Sequence, residues 1–169
     1  MRKTVITIML LALLVLVSCA TSSVDFEPLQ EGVQKVIEVE GASQDELFVK
    51  ANNWAVSAFA NSDSVIEFTD KESGTITGKY YMRYHGGSGY FWAGGDVAPW
   101  TLIQVNVKDG KARISLKLSS VDYYTGKGAK FTAMYDGYFV ESDAEILKAR
   151  WESLIADFEK ALKTEAVEW

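Results

Sequence analysis

Residues 102–119, LIQVNVKDGKARISLKLS, decide the fold class. Two alternating runs flank Asp109-Gly110, a pair suited to the backbone angles of a two-residue hairpin turn. Ile103, Val105 and Val107 on one arm, with Ala112, Ile114, Leu116 and Leu118 on the other, fall on one face. Gln104, Asn106, Lys108, Arg113, Ser115 and Lys117 fall on the opposite face. Period-two alternation with one polar side predicts an antiparallel sheet that packs one face and turns the other to water.

Working upstream, Thr75 to Tyr84 alternates in the same way. Ile76, Tyr80, Met82 and Tyr84 point one way, and Thr75, Thr77, Lys79, Tyr81 and Arg83 the other. A shorter strand, Val65 to Thr69, precedes it across the turn-forming cluster Asp70-Lys71-Glu72-Ser73-Gly74. Ser43 and Glu46 spell a capping box, in which each side chain answers a backbone donor. Leu47, Ala51, Trp54, Ala55, Ala58 and Phe59 follow at helical spacing, predicting a helix to about Ala60. A first strand is expected over Val33 to Glu40. Downstream a weaker strand is expected near Phe131 to Val140. A second capping box, Ser142 and Glu145, then opens a helix with Leu147, Trp151, Leu154, Ile155, Phe158 and Leu162 on one face. The order β-α-β4-α predicts an α+β domain: a twisted antiparallel sheet with two amphipathic helices on one face. No repeat or low-complexity tract interrupts it.

The start of the chain reads differently. Arg2 and Lys3 precede an uncharged run from Val5 to Val17, thirteen residues against the roughly 20 that a spanning helix needs. A basic start, a short apolar middle and a small terminal residue describe a secretory signal peptide. Leu16-Val17-Ser18-Cys19 resembles the lipobox of bacterial lipoproteins, which implies diacylglycerol on the Cys19 thiol and a lipid-anchored protein of the cell envelope. Ala20, in place of the aspartate that often retains such proteins, implies the outer membrane. Cys19 is the chain's single cysteine, which excludes an intramolecular disulfide. The expected organisation is a signal peptide over 1–18, a tether over 19–30 and one domain over 31–165.

The 169-residue chain carries a net charge of −6, and removing residues 1–18 with their two cations takes it to −8. An acidic surface is a poor match for phosphate backbones, so no nucleic-acid partner is expected. The single histidine, His85, excludes a zinc site built on several His or Cys ligands, and no metal or cofactor is expected. The chain shows no G-x-S-x-G elbow leading into a helix, and Gly86-Gly87-Ser88-Gly89 lacks the lysine and helix of a phosphate loop. No catalytic residues are assigned.

Three stretches, ASQDELFVKANNWAVSAFA at 42–60, VIEFTDKESGTITGKYYMRY at 65–84 and VNVKDGKARISL at 105–116, resemble a family of bacterial envelope proteins of unknown function with a TATA-binding-protein-like fold. The matching pattern is a capped helix bearing Ser43, Leu47 and Trp54, then the turn Asp70 to Ile76 into a strand. The likeness spans about residues 33 to 120. It implies an extracytoplasmic α+β domain, often behind a lipobox, and offers no catalytic residues; the fold name describes topology alone.

Two features are candidates for binding. The segment HGGSGYFWAGGDVAPW at 85–100 interleaves aromatics with five glycines, and with Tyr84 it brings together Tyr84, Tyr90, Phe91, Trp92 and Trp100. It reads either as a binding loop for a glycan, peptide or partner, or as a connection whose rings cover the sheet edge. The polar sheet face collects Lys79, Arg83, Lys108, Arg113 and Lys117. It reads either as a receiver for an anionic ligand, or as a solvated face balanced by cross-strand acids such as Glu67. The expected function is a non-enzymatic binding or structural module of the envelope, with membrane contact through its anchor. The alternatives are an envelope hydrolase using His85 or acids such as Asp96 and Asp122, and a subunit of an envelope protein assembly.

Overall fold

A computed structural model of the chain describes residues 26–60, 64–85, 95–124, 129–133 and 139–164. The elements, in chain order, are α1 (Glu27–Glu31), β1 (Val33–Glu38), α2 (Gln44–Ala58), β2 (Val65–Asp70), β3 (Thr75–Tyr81), β4 (Tyr84–His85), β5 (Asp96–Lys108), β6 (Lys111–Tyr124), β7 (Lys130–Ala133) and α3 (Glu141–Lys163). The strands form one antiparallel sheet in the order β1-β6-β5-β3-β2. β4 continues beside β5 where β3 ends, and β7 continues beside β6 beyond β1.

The Asp109-Gly110 hairpin is the spine of this sheet, with Lys108 closing opposite Lys111. Its inward residues are buried as the alternation requires, from Ile103, Val105 and Val107 to Ala112, Ile114, Leu116 and Leu118. Both arms run further than their alternation suggests. β5 begins at Asp96 and passes through Pro99, which lacks the N–H that a ladder needs. The Pro99 carbonyl accepts from the Met82 N–H, so the missing donor falls on the side where β3 gives way to β4 and the ladder is already broken. β6 runs to Tyr124 by way of a bulge. Trp100 faces Ser120 and Thr101 faces Leu118, leaving Ser119 without a partner across the ladder.

α2 and α3 cover one face of the sheet. Ser43 caps α2 by accepting from the Glu46 N–H at 3.2 Å. The reciprocal half of that box is replaced by an ion pair, Glu46 to Lys50 at 2.8 Å. Leu47, Ala51, Trp54 and Ala55 point into the core, and Phe59 follows at the helix end. Leu147, Trp151, Leu154, Phe158 and Leu162 do the same for α3. Each large apolar side chain buried this way is worth about 2–3 kcal/mol against exposure. The Trp54 and Phe158 rings meet at 4.8 Å and join the helices. Lys35 at the sheet edge pairs with Glu159 at 2.6 Å, and the Arg150 guanidinium donates to the Tyr80 hydroxyl.

Two sequence expectations are corrected. α3 does not start from a Ser142–Glu145 box. Its first turn is closed by Asp143, fully buried, whose carboxylate accepts the Val140 N–H at 3.1 Å. Ser142 and Glu145 are exposed. The end of the tether expected over 19–30 is instead part of a short helix, Glu27–Glu31, with Leu29 buried against the sheet. Gly32, at φ +79°, lets the chain turn into β1 where a Cβ would lie 2.1 Å from the Leu116 carbonyl oxygen. The strand expected near Phe131 to Val140 is present as β7 over Lys130–Ala133, and residues 134–138 lie outside the described residues.

Candidate functional site

The face of the sheet opposite the helices is the candidate site, and its rows follow from the registers. Phe68, Thr77, Gln104, Ser115 and Gln34 form one row across it, and Val65, Lys79, Leu102 and Lys117 form another. Between them lies a cavity of about 540 Å³, lined by Gln34, Thr77, Leu102, Gln104, Ser115 and Lys117 among others. Val65 and Phe68 lie exposed on β2 at one edge of the sheet, and Val36 on β1 at the other.

Toward the hairpin, Thr75, Asn106, Arg113 and Val36 make the next row, and Lys108 faces Lys111 beyond it. Arg113 donates through Nη2 to the side-chain amide oxygen Oδ1 of Asn106 at 3.1 Å. Asn106 Nδ2 in turn donates to the Thr75 hydroxyl at 3.1 Å. A second cavity, about 260 Å³, is lined by Val36, Asn106, Lys108, Lys111, Ala112 and Arg113.

Toward the other end the Ser119 bulge changes the parity of β6, so Asp122 and Tyr124 join the open face. Asp122 is the hub there. It accepts from Trp100 Nε1 at 2.8 Å, the Thr132 hydroxyl at 2.5 Å and Lys130 Nζ at 2.8 Å. Burial pushes its pKa up, but the hydrogen bonds from Lys130, Thr132 and Trp100 together outweigh it and hold the carboxyl below its ordinary value. The Tyr81 ring packs on Trp100 at 4.7 Å, and its hydroxyl donates to that of Tyr124 at 2.9 Å. Arg83 lies 4.1 Å over the Tyr124 ring while its Nε donates to Asp96 at 2.6 Å.

The five expected cations therefore do not act alike. Lys79 is neutralised by Glu67 at 2.6 Å and Arg83 by Asp96, whereas Lys108 and Arg113 share the hairpin end with Lys111, and Lys117 lies on the central cavity. Lys111 belongs to this group by strand parity and was missing from the expected set. The aromatic grouping also divides. Trp100 is on the open face, but Tyr84 is on the helix side, where its hydroxyl donates to Asp143 at 3.2 Å. Burial first, and then the Asp143 charge, push the Tyr84 phenol far above its ordinary range. Tyr84 is thus a link between the sheet and α3 rather than part of a loop platform. Cys19, Tyr90, Phe91 and Trp92 lie outside the described residues, and His85 pairs through its backbone with Asp96. No helix among the described residues is long and apolar enough to cross a membrane. Among the same residues no group of three or more His, Cys, Asp or Glu side chains is placed to hold a metal ion.

An antiparallel sheet with helices on one face and, among the described residues, none on the other defines the chain as an α+β protein of the TBP-like class. A family model described as a domain of unknown function (DUF4468) with TBP-like fold matches residues 34–124, and the chain belongs to that family. Among solved structures, it is similar to a DUF4468 family protein from Bacteroides ovatus, at 18% identity and a TM-score of 0.51, covering 90% of this chain and 95% of that one. It is also similar to a TBP-like protein from Parabacteroides distasonis, at 16% identity and a TM-score of 0.61, covering 84% of this chain and 100% of that one. At such identities these likenesses speak for the fold alone. No curated protein matches the chain.

Proposed function

We propose that this chain is a lipid-anchored, non-enzymatic binding module of the bacterial cell envelope, tethered through Cys19 and receiving its ligand on the sheet face opposite α2 and α3. The observation that carries the binding half is the 540 Å³ cavity at the centre of that face. A solvated sheet face with no further task has no need of a cavity, nor of exposed Phe68, Val65 and Val36 on its edge strands. The state of the acids supports a binding role over hydrolysis. Asp122 is held ionised by three donors, so it is not a carboxyl poised to give up a proton near neutral pH, and Asp96 is engaged by Arg83 at 2.6 Å. The lipobox-like Leu16-Val17-Ser18-Cys19 supports the tether.

The two halves are tested separately. Cys19→Ala should move the protein from the membrane pellet to the soluble fraction, and the parent should show an acylated cysteine at its N-terminus by mass spectrometry. An unprocessed N-terminus removes the tether. For binding, a photo-crosslinking residue at Gln104 should yield envelope adducts in cells that Leu102→Glu abolishes. The same probe at Glu152, on the exposed side of α3, should yield none. Equal adducts from both positions, or adducts indifferent to Leu102→Glu, would remove the sheet face as the site.

A further inference from the structure

We infer that the hairpin end of the open sheet face is an anion site, in which Lys108, Lys111 and Arg113 hold the phosphate group of a ligand. This rests on the reading of that face as the binding face, but concerns a separate cavity from the central one.

The charges themselves make the case. Lys108 and Lys111 stand directly opposite each other at the closing pair of the hairpin, and Arg113 lies on the same face two residues further along. Like charges opposed across a ladder are destabilising, and here three are gathered on a chain whose net charge is −6. Elsewhere on the face, Lys79 pairs with Glu67, Arg83 with Asp96 and Lys130 with Asp122, while Lys117 stands singly on the central cavity. Lys108, Lys111 and Arg113 make no ion pair among the described residues. Two neighbouring carboxylates are otherwise placed. Asp109 turns to the helix side, where it accepts the Gln44 N–H at 2.7 Å, and Glu38, opposite Lys111, forms no ion pair with it. The repulsion is retained at the one place on the face where all three cations surround a cavity, about 260 Å³ in volume.

The geometry suits phosphate. Arg113 is set in place through Asn106 and Thr75, so one edge of its guanidinium is committed and the remaining donors are left for a ligand. A planar fork beside two ammonium point charges matches a group of several acceptor oxygens carrying more than one negative charge. The volume falls below the roughly 300–1,000 Å³ of pockets for drug-sized molecules. It takes a phosphoryl group whose remainder extends outward, either as a free phosphorylated compound or as a lipid headgroup. The chemistry is common to both sources.

The test uses the full chain and three variants, Lys108→Gln/Lys111→Gln/Arg113→Gln, Glu38→Gln and Lys79→Gln. Thermal unfolding is followed in sodium pyrophosphate against sodium chloride of equal ionic strength, and sedimentation with phosphatidylglycerol vesicles against phosphatidylcholine vesicles. Binding to the folded state alone raises Tm with the logarithm of ligand concentration, by about 5–10 °C at a hundredfold excess over Kd. That rise is expected in the parent and in Lys79→Gln, larger in Glu38→Gln, and absent in the triple variant. The triple variant, relieved of its repulsion, should unfold no earlier than the parent without ligand, which excludes a folding defect. A pyrophosphate effect without preference for the anionic vesicles assigns a free phosphorylated ligand. A vesicle preference that the triple variant loses, without a pyrophosphate effect, assigns the headgroup. Equal behaviour of parent and triple variant in both assays overturns the site. If the Gln104 adducts persist in that case, the binding-face reading stands without it.

Discussion

Trp151 donates its indole N–H to the Thr101 hydroxyl at 2.8 Å, with both residues about 1% exposed. The bond ties α3 to β5 one residue from the Ser119 bulge, where the sheet changes parity. Thr101→Val keeps the shape and removes the acceptor, stranding a buried donor at a cost of about 1–3 kcal/mol. Thr101→Ser keeps the acceptor and should lose less. Urea unfolding of both variants, with Trp151→Phe and the double variant, gives the coupling energy. A Thr101→Val protein as stable as the Ser variant would mean that the bond contributes nothing.

The Asp122 hub should matter for the attachment of β7. In Asp122→Asn an amide donor is turned toward groups that are themselves donors, and the charge partner of Lys130 is lost. The expected destabilisation is about 2–3 kcal/mol at neutral pH. The pH dependence has a definite sign. Because the folded carboxyl lies below its ordinary value, its contribution is full above about pH 4 and is lost as pH falls toward the lowered folded value. The gap between the parent and Asp122→Asn should therefore narrow in unfolding curves measured at pH 3 against pH 7. A constant gap would show that the carboxylate's charge is not what the hub depends on.

What the sequence disclosed follows from where local pattern and tertiary structure agree. In 102–118 each inward residue of the hairpin is legible because period-two alternation and burial coincide there. Beyond Leu118 the alternation predicts the wrong face, since a single bulged residue carries Asp122 and Tyr124 to the open side. The doublet Ser119-Ser120 is the trace it leaves. Pro99 reads as a loop residue until the break between β3 and β4 removes the need for its N–H. Ser142 and Glu145 have the spacing of a cap, yet the buried Asp143 wins because it answers both Val140 and Tyr84. As for the site, residue types marked the cations, but only the registers separate Lys79 and Arg83, which are paired, from the hairpin cluster.

Two glycines with nearly the same backbone should respond unequally. Gly74 has φ +65° and Gly110 φ +73°, so alanine at either meets the left-handed penalty of roughly 1–2 kcal/mol. At Gly110 nothing lies within 4 Å of the added carbon. At Gly74 it would sit 2.4 Å from the Val107 carbonyl oxygen, against a strand tied to the same turn by the Val107 N–H donating to the Gly74 carbonyl at 2.8 Å. Gly74→Ala should therefore cost about 3 kcal/mol or more, and Gly110→Ala only the first penalty. Equal midpoints in urea would show that the turn yields freely and that Gly74 serves no packing purpose.

Glu159 gives the edge strand β1 a pH-sensitive hold. Hydrogen bonds from Lys163 and then Lys35 draw its pKa from 4.5 down to about 2. With the folded value lowered, the contribution is complete above about pH 4.5 and disappears as pH falls through about 2. Lys163 lies four residues along the same helix, so its pair supports α3 alone, at 2.5 Å. Lys35 is on β1, and its pair is the ionic link between that strand and α3. Lys35→Met should raise the Glu159 titration midpoint, followed by NMR of its side-chain carboxyl. It should also speed amide exchange in Val33–Glu38 at pH 5 while leaving β5 unchanged. Lys163→Met should raise the midpoint without changing exchange in β1. If both variants leave β1 exchange alike, the strand is held by its ladder to β6 and by the burial of Ile37, and the ion pair adds nothing to its docking.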